Sequence, residues 1–381
     1  MRGSWFFRLP RIVFLCGKKS MRHFVWLLMA ALMAAGSISC RKIICECRCH
    51  EYREDVLPGN DTGDGTGGEP ETVKVTGFNI VLAEYPDGYD WLRDPDHGVV
   101  ECDICLLQDG LETLRFPAGN EYMVSADIDM VRCIGEDVFT DFSTSSETII
   151  RKNGEEILRY PGREMVRGLA ETDGKGIYTL GIPRDAAVGW TLRCSGEILS
   201  SSDTGEIVSA LYTDKEEPVF VYRSEEGKYF QVRGDSQTEL DVPPAYGQVV
   251  SVTFDRGTAE VCTLDETNIL RKDGAELAAF EDSFNILACY PDGDTAGAVG
   301  YYGDDILSQF MYHDKEYTAF PEGYCLAAVS TGAFSDGHYC LCLNPVEPGL
   351  HPVCIMDGKT VELPVNGCFL SLGVTVEYVV P

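Results

Sequence analysis

The sequence predicts an all-β fold built from a repeating four-stranded unit, and three observations carry that prediction. From about Val75 onward the chain holds short apolar-alternating runs cut by turn dipeptides, with no long stretch of helical period. A strand–turn–strand motif recurs, with its turn at Gly110, Gly154, Gly196, Gly227, Gly274, Lys315 and Gly358. The copies are 44, 42, 31, 47, 41 and 43 residues apart, with a mean near 41. A period of about 40–45 residues with several strands per unit is that of a β-propeller. Seven four-stranded blades are expected, with six as the alternative count and two β-sandwich domains as the competing fold.

In chain order, the first element is a signal region over Met1–Ser39. Translation from Met21 gives its tidier form. Met21-Arg22-His23 is a short basic start, Phe24 to Ala35 is apolar, and Gly36-Ser37-Ile38-Ser39 precedes Cys40. The apolar run is shorter than the about 20 residues that span a bilayer. A cysteine directly after the small residues is what a lipoprotein signal peptidase uses, so Cys40 is the expected lipidated first residue. Residues 40–73 then form a lipidated flexible stalk. Its part from Leu57 to Val73 is rich in Gly, Asp, Pro and Thr and cannot bury enough apolar surface to fold.

Residues 74–381 are the expected propeller domain. Each motif is a strand, a tight turn and a second strand. Examples are Ile149-Ile150-Arg151-Lys152-Asn153-Gly154 leading into Glu155-Glu156-Ile157-Leu158, and Ile269-Leu270-Arg271-Lys272-Asp273-Gly274 leading into Ala275-Glu276-Leu277. Asn-Gly and Asp-Gly supply the two positive φ values of a type I′ hairpin. Glu206–Tyr212 and Gln248–Phe254 read as inner strands, and Gly176–Leu180 and Gly297–Tyr302 as second strands. The C-terminal run Cys368–Val380 is expected to close the ring against the first blade, because a single blade cannot bury its own faces.

The chain is strongly acidic, with 61 Asp and Glu against 31 Lys and Arg and a net charge of −30. Residues 40–381 keep all 61 acids and only 25 of the basic residues. Nucleic acid is excluded as a partner, since phosphate contacts need a basic surface. An anionic membrane face repels the body, which leaves membrane attachment to the N-terminal lipid alone. Acidity allows weak calcium binding and is better explained by solubility alone.

The 16 cysteines differ in setting. Cys102 and Cys105 form a CxxC in a β-like run, where residues three apart point to opposite faces, which argues against redox chemistry. Cys340 and Cys342 share a face at the edge of disulfide reach. Cys133, Cys194, Cys262, Cys289 and Cys354 read as small buried residues. Cys45, Cys47, Cys49 and His50 put four soft ligands into six residues of the stalk. They are candidates for zinc or copper, with local disulfides as the other reading.

With its lipobox, acidic linker and recurring Asn/Asp-Gly hairpins, the chain resembles the propeller-type lipoproteins common in Bacteroidales, many of unknown function. The resemblance covers the signal and about 300 residues of repeats. It implies a lipid-anchored protein of the bacterial outer membrane, on the cell surface or the periplasmic face. Such surface lipoproteins often carry an acidic tract right after the lipidated cysteine, whereas Arg41 and Lys42 follow here.

The sequence contains no GxSxG, HExxH or GxxxxGK[ST] motif. His97, His313, His338 and His351 lie in turn-like settings and read as solvated loop residues. Ser201-Ser202-Asp203-Thr204-Gly205 partly matches a sialidase Asp-box in a single copy. Asp292 and Asp294, with Asp304 and Asp305, are candidate calcium ligands without the spacing of a known loop. Tyr89, Trp91, Tyr301 and Tyr302 are candidate ligand contacts, because aromatic faces beside carboxylates suit a sugar ring. Trp190 is assigned to packing. The function expected is a non-catalytic binding or scaffold module for an envelope protein or a glycan, with no cofactor. The alternative is a glycan-active hydrolase using carboxylates in the central funnel. Replacing Cys40 by Ala should abolish incorporation of labelled fatty acid and release the chain from membrane fractions; labelling that persists in the variant contradicts the lipobox.

Overall fold

The computed structural model describes residues 73–86, 89, 92, 102–108, 110–118, 131–144, 146–172, 174–184, 186, 188–255, 257–347 and 349–379. The strands form seven antiparallel sheets arranged as the blades of a β-propeller. The sequence alternates apolar and polar residues within each run, and the pleat turns that alternation into two faces per blade. Blades 2 to 6 are contiguous in sequence. Blade 2 is Val131–Ile134, Asp137–Ser143, Glu147–Lys152 and Glu155–Pro161, from the axis outward. Blade 3 is Glu164–Thr172, Gly176–Pro183, Trp190–Cys194 and Glu197–Ser202. Blade 5 is Gln248–Asp255, Thr258–Leu264, Ile269–Lys272 and Ala275–Ala279. Blade 6 is Phe284–Asp292, Thr295–Tyr302, Gln309–His313 and Glu316–Ala319.

Blade 1 joins the two ends of the ring. Its outer three strands are Val73–Glu84, Asp103–Gln108 and Leu111–Pro117, and its innermost strand is Gly367–Val379. Val73 pairs with Val379 and Glu84 with Gly367, so the closing ladder runs the full length of the first strand. The expected closure by the C-terminal run is therefore present.

The apolar core is divided among the seams between blades. Seven buried clusters correspond one to one with the seven contacts between neighbouring blades. Period-2 alternation explains the division. In blade 1, Ile80 and Leu82 pack toward blade 7, while Val81 and Ala83 pack toward blade 2. In blade 7, Leu341, Leu343, Val353 and Ile355 face blade 6, and the residues between them face blade 1. The seams are unequal. That between blades 4 and 5 holds only Val208, Val221 and Val252 as fully buried members, helped by the Tyr212–Phe254 stack at 5.5 Å.

Two inner strands are split. Blade 4 has Glu206–Ile207 and Tyr212–Asp214, with Ser209 between them accepting the Val221 amide at 2.7 Å. Its other strands are Glu217–Arg223, Tyr229–Arg233 and Ser236–Leu240. Blade 7 has Tyr324–Leu326 and Gly332–Ser335, separated by the short helical turn Val329–Thr331, then His338–Pro345, Val353–Met356 and Lys359–Glu362.

The turn chemistry holds with one correction. Asn153 and Gly154 (φ 53° and 85°), Asp273 and Gly274 (48° and 84°) and Asp357 and Gly358 (46° and 76°) have the paired positive φ of type I′ turns. Asp314 and Lys315 do the same without glycine (51° and 67°). The Gly227 turn joins the second and third strands of blade 4 instead. The third–outer turn of that blade is Gly234-Asp235, which pairs Arg233 with Ser236. Placing the turn there changes the irregular spacings of 31 and 47 to 38 and 40 residues.

The first turn residue has a second task. Asn153, Asp273 and Asp357 each accept, through Oδ1, the amide of the second strand (Val138, Val261 and Tyr339) at 2.8 Å. Their own amides donate back to the carbonyls of the same three residues. One side chain thus tolerates the left-handed conformation and extends the ladder by one pair. Asn153→Ala should cost about 2–3 kcal/mol, from left-handed strain of about 1–2 and a lost hydrogen bond of about 1. Asn153→Gly, relieved of the strain, should cost about half as much. Denaturant unfolding of the two variants checks the ordering, and equal costs contradict it.

Candidate functional site

The inner strands enclose a central cavity of about 30 Å³ lined by Arg132, Cys133, Ile134, Gly168, Leu169, Ala210, Leu211, Ser330, Ser371 and Leu372. That is room for a water molecule or two and not for a sugar ring. None of the lining residues is acidic. The two split strands contribute Ala210, Leu211 and Ser330 to the wall.

Two buried ion pairs lie beside this wall, in the seam between blades 2 and 3. Arg132 Nη1 donates to Asp141 Oδ1 at 3.2 Å, and its Nη2 donates to the Val166 carbonyl. Arg193 donates to Glu164 Oε1 through Nε (3.0 Å) and Nη2 (2.8 Å) and to the Gly196 carbonyl through Nη1 (2.9 Å). Its guanidinium also lies 4.6 Å from the Tyr160 ring centre. The apolar cluster of this seam is small, with five buried members, so the charges occupy volume that other seams fill with hydrocarbon. Burial pushes Asp141 up to about 7 against the pull of Arg132. These two acids are held by guanidiniums within a seam, a structural arrangement rather than a pair flanking a cleft.

The aromatic candidates fall in different places. Tyr301 and Tyr302 end the second strand of blade 6 and are not in a loop. Tyr302 packs on Phe284 at 5.3 Å and Phe310 at 5.2 Å and donates to Glu281 at 3.0 Å. Tyr89 packs on Tyr85 at 5.3 Å, and its carbonyl accepts from Asn366 at 2.8 Å. Trp91 lies outside the described residues, as do Cys40, Cys45, Cys47, Cys49, His50 and His97. The structure does not bring the two blade 6 tyrosines to a ligand cleft with Tyr89. Trp190 is buried edge-on against Phe220 at 5.0 Å, in the packing role assigned to it.

The acidic candidates serve turns. Asp292 accepts the amides of Asp336 (2.9 Å) and Gly337 (2.8 Å) across the seam to blade 7, while Asp294 is exposed. Asp305 accepts from Ser308 and Leu307 within its own turn, which holds its carboxyl below the usual range. Ser202 bonds Thr204 in the connection from blade 3 to blade 4. Two histidines keep simple partners: His338 meets Asp357 at 2.9 Å and His351 meets the Val365 carbonyl at 3.0 Å. His313 differs from the solvated residue expected, because it packs on Tyr339 at 4.9 Å and Phe334 at 5.5 Å.

The rim carries the feature that sequence reading missed. Six large apolar side chains are exposed among the described residues, and four of them, Leu111, Ile157, Ile198 and Leu199, lie on the outer strands of blades 1, 2 and 3. All four fall within three residues of a third–outer turn. β-Bulges help explain this. In blade 2 the register slips so that Ile157 has no partner, and in blade 3 Leu199 is the extra residue. A bulge re-aims the side chain it inserts. The only sequence signal was an apolar residue breaking the alternation after the turn glycine.

Fold and site together define a seven-bladed antiparallel β-propeller with exposed apolar residues on the outer strands of blades 1 to 3. No family model and no curated protein matches the chain. Among solved structures, it is similar to BBS1N in complex with ARL6DN in a lead-soaked crystal, at 9% identity and a TM-score of 0.39, covering 68% of this chain and 82% of that one. The mercury-soaked crystal of the same complex gives 10% and 0.37, over 64% and 81%. BamB from Moraxella catarrhalis gives 10% and 0.33, over 64% and 84%.

Asp141 makes a pH test available. Its folded pKa lies above the about 3.9 of an unfolded aspartate. The stability it contributes is therefore complete below about pH 4 and lost as the pH rises through about 7. Denaturant unfolding from pH 4 to pH 8 should show this loss in the wild-type chain, and Asp141→Asn should flatten that portion of the profile. Parallel profiles would show that Asp141 is ionised throughout.

Proposed function

We propose that this chain is a lipid-anchored propeller of the bacterial envelope that acts as a non-catalytic binding or scaffold module for a partner protein. The observation that carries the reading is the apolar rim of blades 1 to 3. The chain has a net charge of −30, yet Leu111, Ile198 and Leu199 are 72%, 58% and 52% exposed on outer strands. Exposed large apolar side chains are among the groups that protein partners bury.

The backbone at the same rim is guarded. Bulges interrupt the outer strands of blades 1, 2, 3 and 5. Arg115 is bonded to Glu112, Asp103 and Glu84, and Arg159 to Glu156 and Glu147. Bulges and charges at an edge discourage pairing with another strand. The rim therefore offers side chains to a partner and withholds its ladder. The lipid at Cys40 and the flexible stalk supply the tether, on the surface or the periplasmic face of the outer membrane. A partner protein fits the apolar rim better than a glycan does, since sugars need polar groups convergent on a concave pocket.

A photo-crosslinking residue at Ile198 should give a discrete protein adduct in intact cells, and one at exposed Glu276 on blade 5 should not. Adding Leu111→Glu and Leu199→Glu should remove the adduct while leaving stability within about 0.5 kcal/mol per site, as for exposed substitutions in general. An adduct pattern identical at both positions, or unchanged by the glutamates, sinks the reading.

A further inference from the structure

We propose that Cys340, Cys342 and Cys354 form a binding site for one soft, thiophilic cation, Cu(I), in the seam that closes the ring. Cys340 and Cys342 stand two apart on the second strand of blade 7, so they share a face. Cys354 is the register partner of Cys342 on the third strand. All three are fully buried. Their sulfur atoms lie within 4.8 Å of one another, with Cys342 and Cys354 Sγ 3.8 Å apart. A trigonal ion with metal–sulfur bonds of about 2.3 Å holds its sulfurs about 4.0 Å apart. The Cys342–Cys354 spacing is thus already close to that of a trigonal site.

The surroundings select the ion. The buried residues packed with the triad include Phe78, Leu82, Ala333, Leu363 and Phe369, with the half-buried Met356 against them. Among the described residues, no imidazole or carboxylate joins the three sulfurs within 4.8 Å. Calcium and magnesium need oxygen ligands, so they are excluded. Structural zinc takes four ligands, and only three of the cluster's four thiols converge, the fourth being Cys105. Thiolates in an apolar shell favour Cu(I). On binding, copper stays Cu(I), each S–Cu bond replaces an S–H bond, and the protons leave to solvent.

Packing alone does not account for the triad. Leucine and valine fill the matching positions on the opposite face of the same two strands, Leu341, Leu343 and Val353. The location adds a consequence. The triad belongs to blade 7, and the residues it packs on include both strands of the closing ladder, Phe78 and Leu82 from one and Phe369 from the other. A ligand that binds only the folded seam stabilises ring closure by mass action.

The test uses the full chain with Cys45→Ser, Cys47→Ser and Cys49→Ser, which removes the N-terminal thiol run. Reduced anaerobically, given Cu(I) as its acetonitrile complex and challenged with bicinchoninate, it should retain one Cu(I) per chain. X-ray absorption should read three sulfur neighbours, and the melting temperature should rise. Further substitution of Cys340, Cys342 and Cys354 by Ala should weaken retention at least 100-fold. If that variant does not fold, Cys354→Ser alone should reduce the sulfur count from three to two. Failure to retain Cu(I), nitrogen or oxygen neighbours, retention indifferent to the triad, displacement by Zn(II), or a Cys342–Cys354 disulfide in the chain as isolated each overturns the proposal.

Discussion

Everything in this molecule depends on the fact that a twisted four-stranded sheet with two apolar faces cannot bury either of them alone. Each blade solves the problem for its neighbours, and a row of blades leaves two bare faces at its ends. The ladder between Gly367–Val379 and Val73–Glu84 removes those ends. It is the most extensive strand pairing in the fold, and it makes blade 1 from the two extremities of the domain. The apolar core then follows as seven separate seams arranged around the ring.

That division lets the seams differ in chemistry without disturbing the plan. The seam of blades 5 and 6 is aromatic, built on Phe280, Phe284, Tyr312 and Tyr317. The seam of blades 2 and 3 admits two buried ion pairs. The seam of blades 7 and 1 gathers thiols. Buried ion pairs trade desolvation against attraction with little net gain, so the second seam gains geometric definition more than stability. Each seam is a local solution to one packing problem.

The fold was legible because its turns are. Asn153, Asp273 and Asp357 announce themselves through the residue that follows, and positive φ leaves few alternatives to Asn-Gly and Asp-Gly. Gly234-Asp235 escaped because the order is reversed and a stronger-looking glycine, Gly227, lies seven residues earlier. The blade count survived, since exchanging one turn for another inside a blade leaves the number of units unchanged. The split inner strands of blades 4 and 7 were not legible, because Ser209 and Thr331 replace ladder bonds with side-chain bonds that no periodicity records. The convergence of Cys342 and Cys354 was hidden for a related reason. Alternation gives the face a residue occupies, whereas register gives its partner. Tyr302 and His313 misled because an aromatic residue beside polar neighbours has the same sequence texture whether it meets a ligand or another ring. The apolar rim went unseen because a bulge reverses the orientation that alternation assigns.

The closing ladder also fixes how the domain carries a mechanical load. Val73 and Val379 lie side by side at one end of it. A pull on the chain entering at residue 73 acts along a strand paired with Gly367–Val379 throughout and with Asp103–Gln108 from Asn79 onward. The ladder bonds run across that direction, so they are loaded together in shear and do not break in succession as in an unzipping hairpin. The thinnest seam, between blades 4 and 5, takes no direct share in bearing that force.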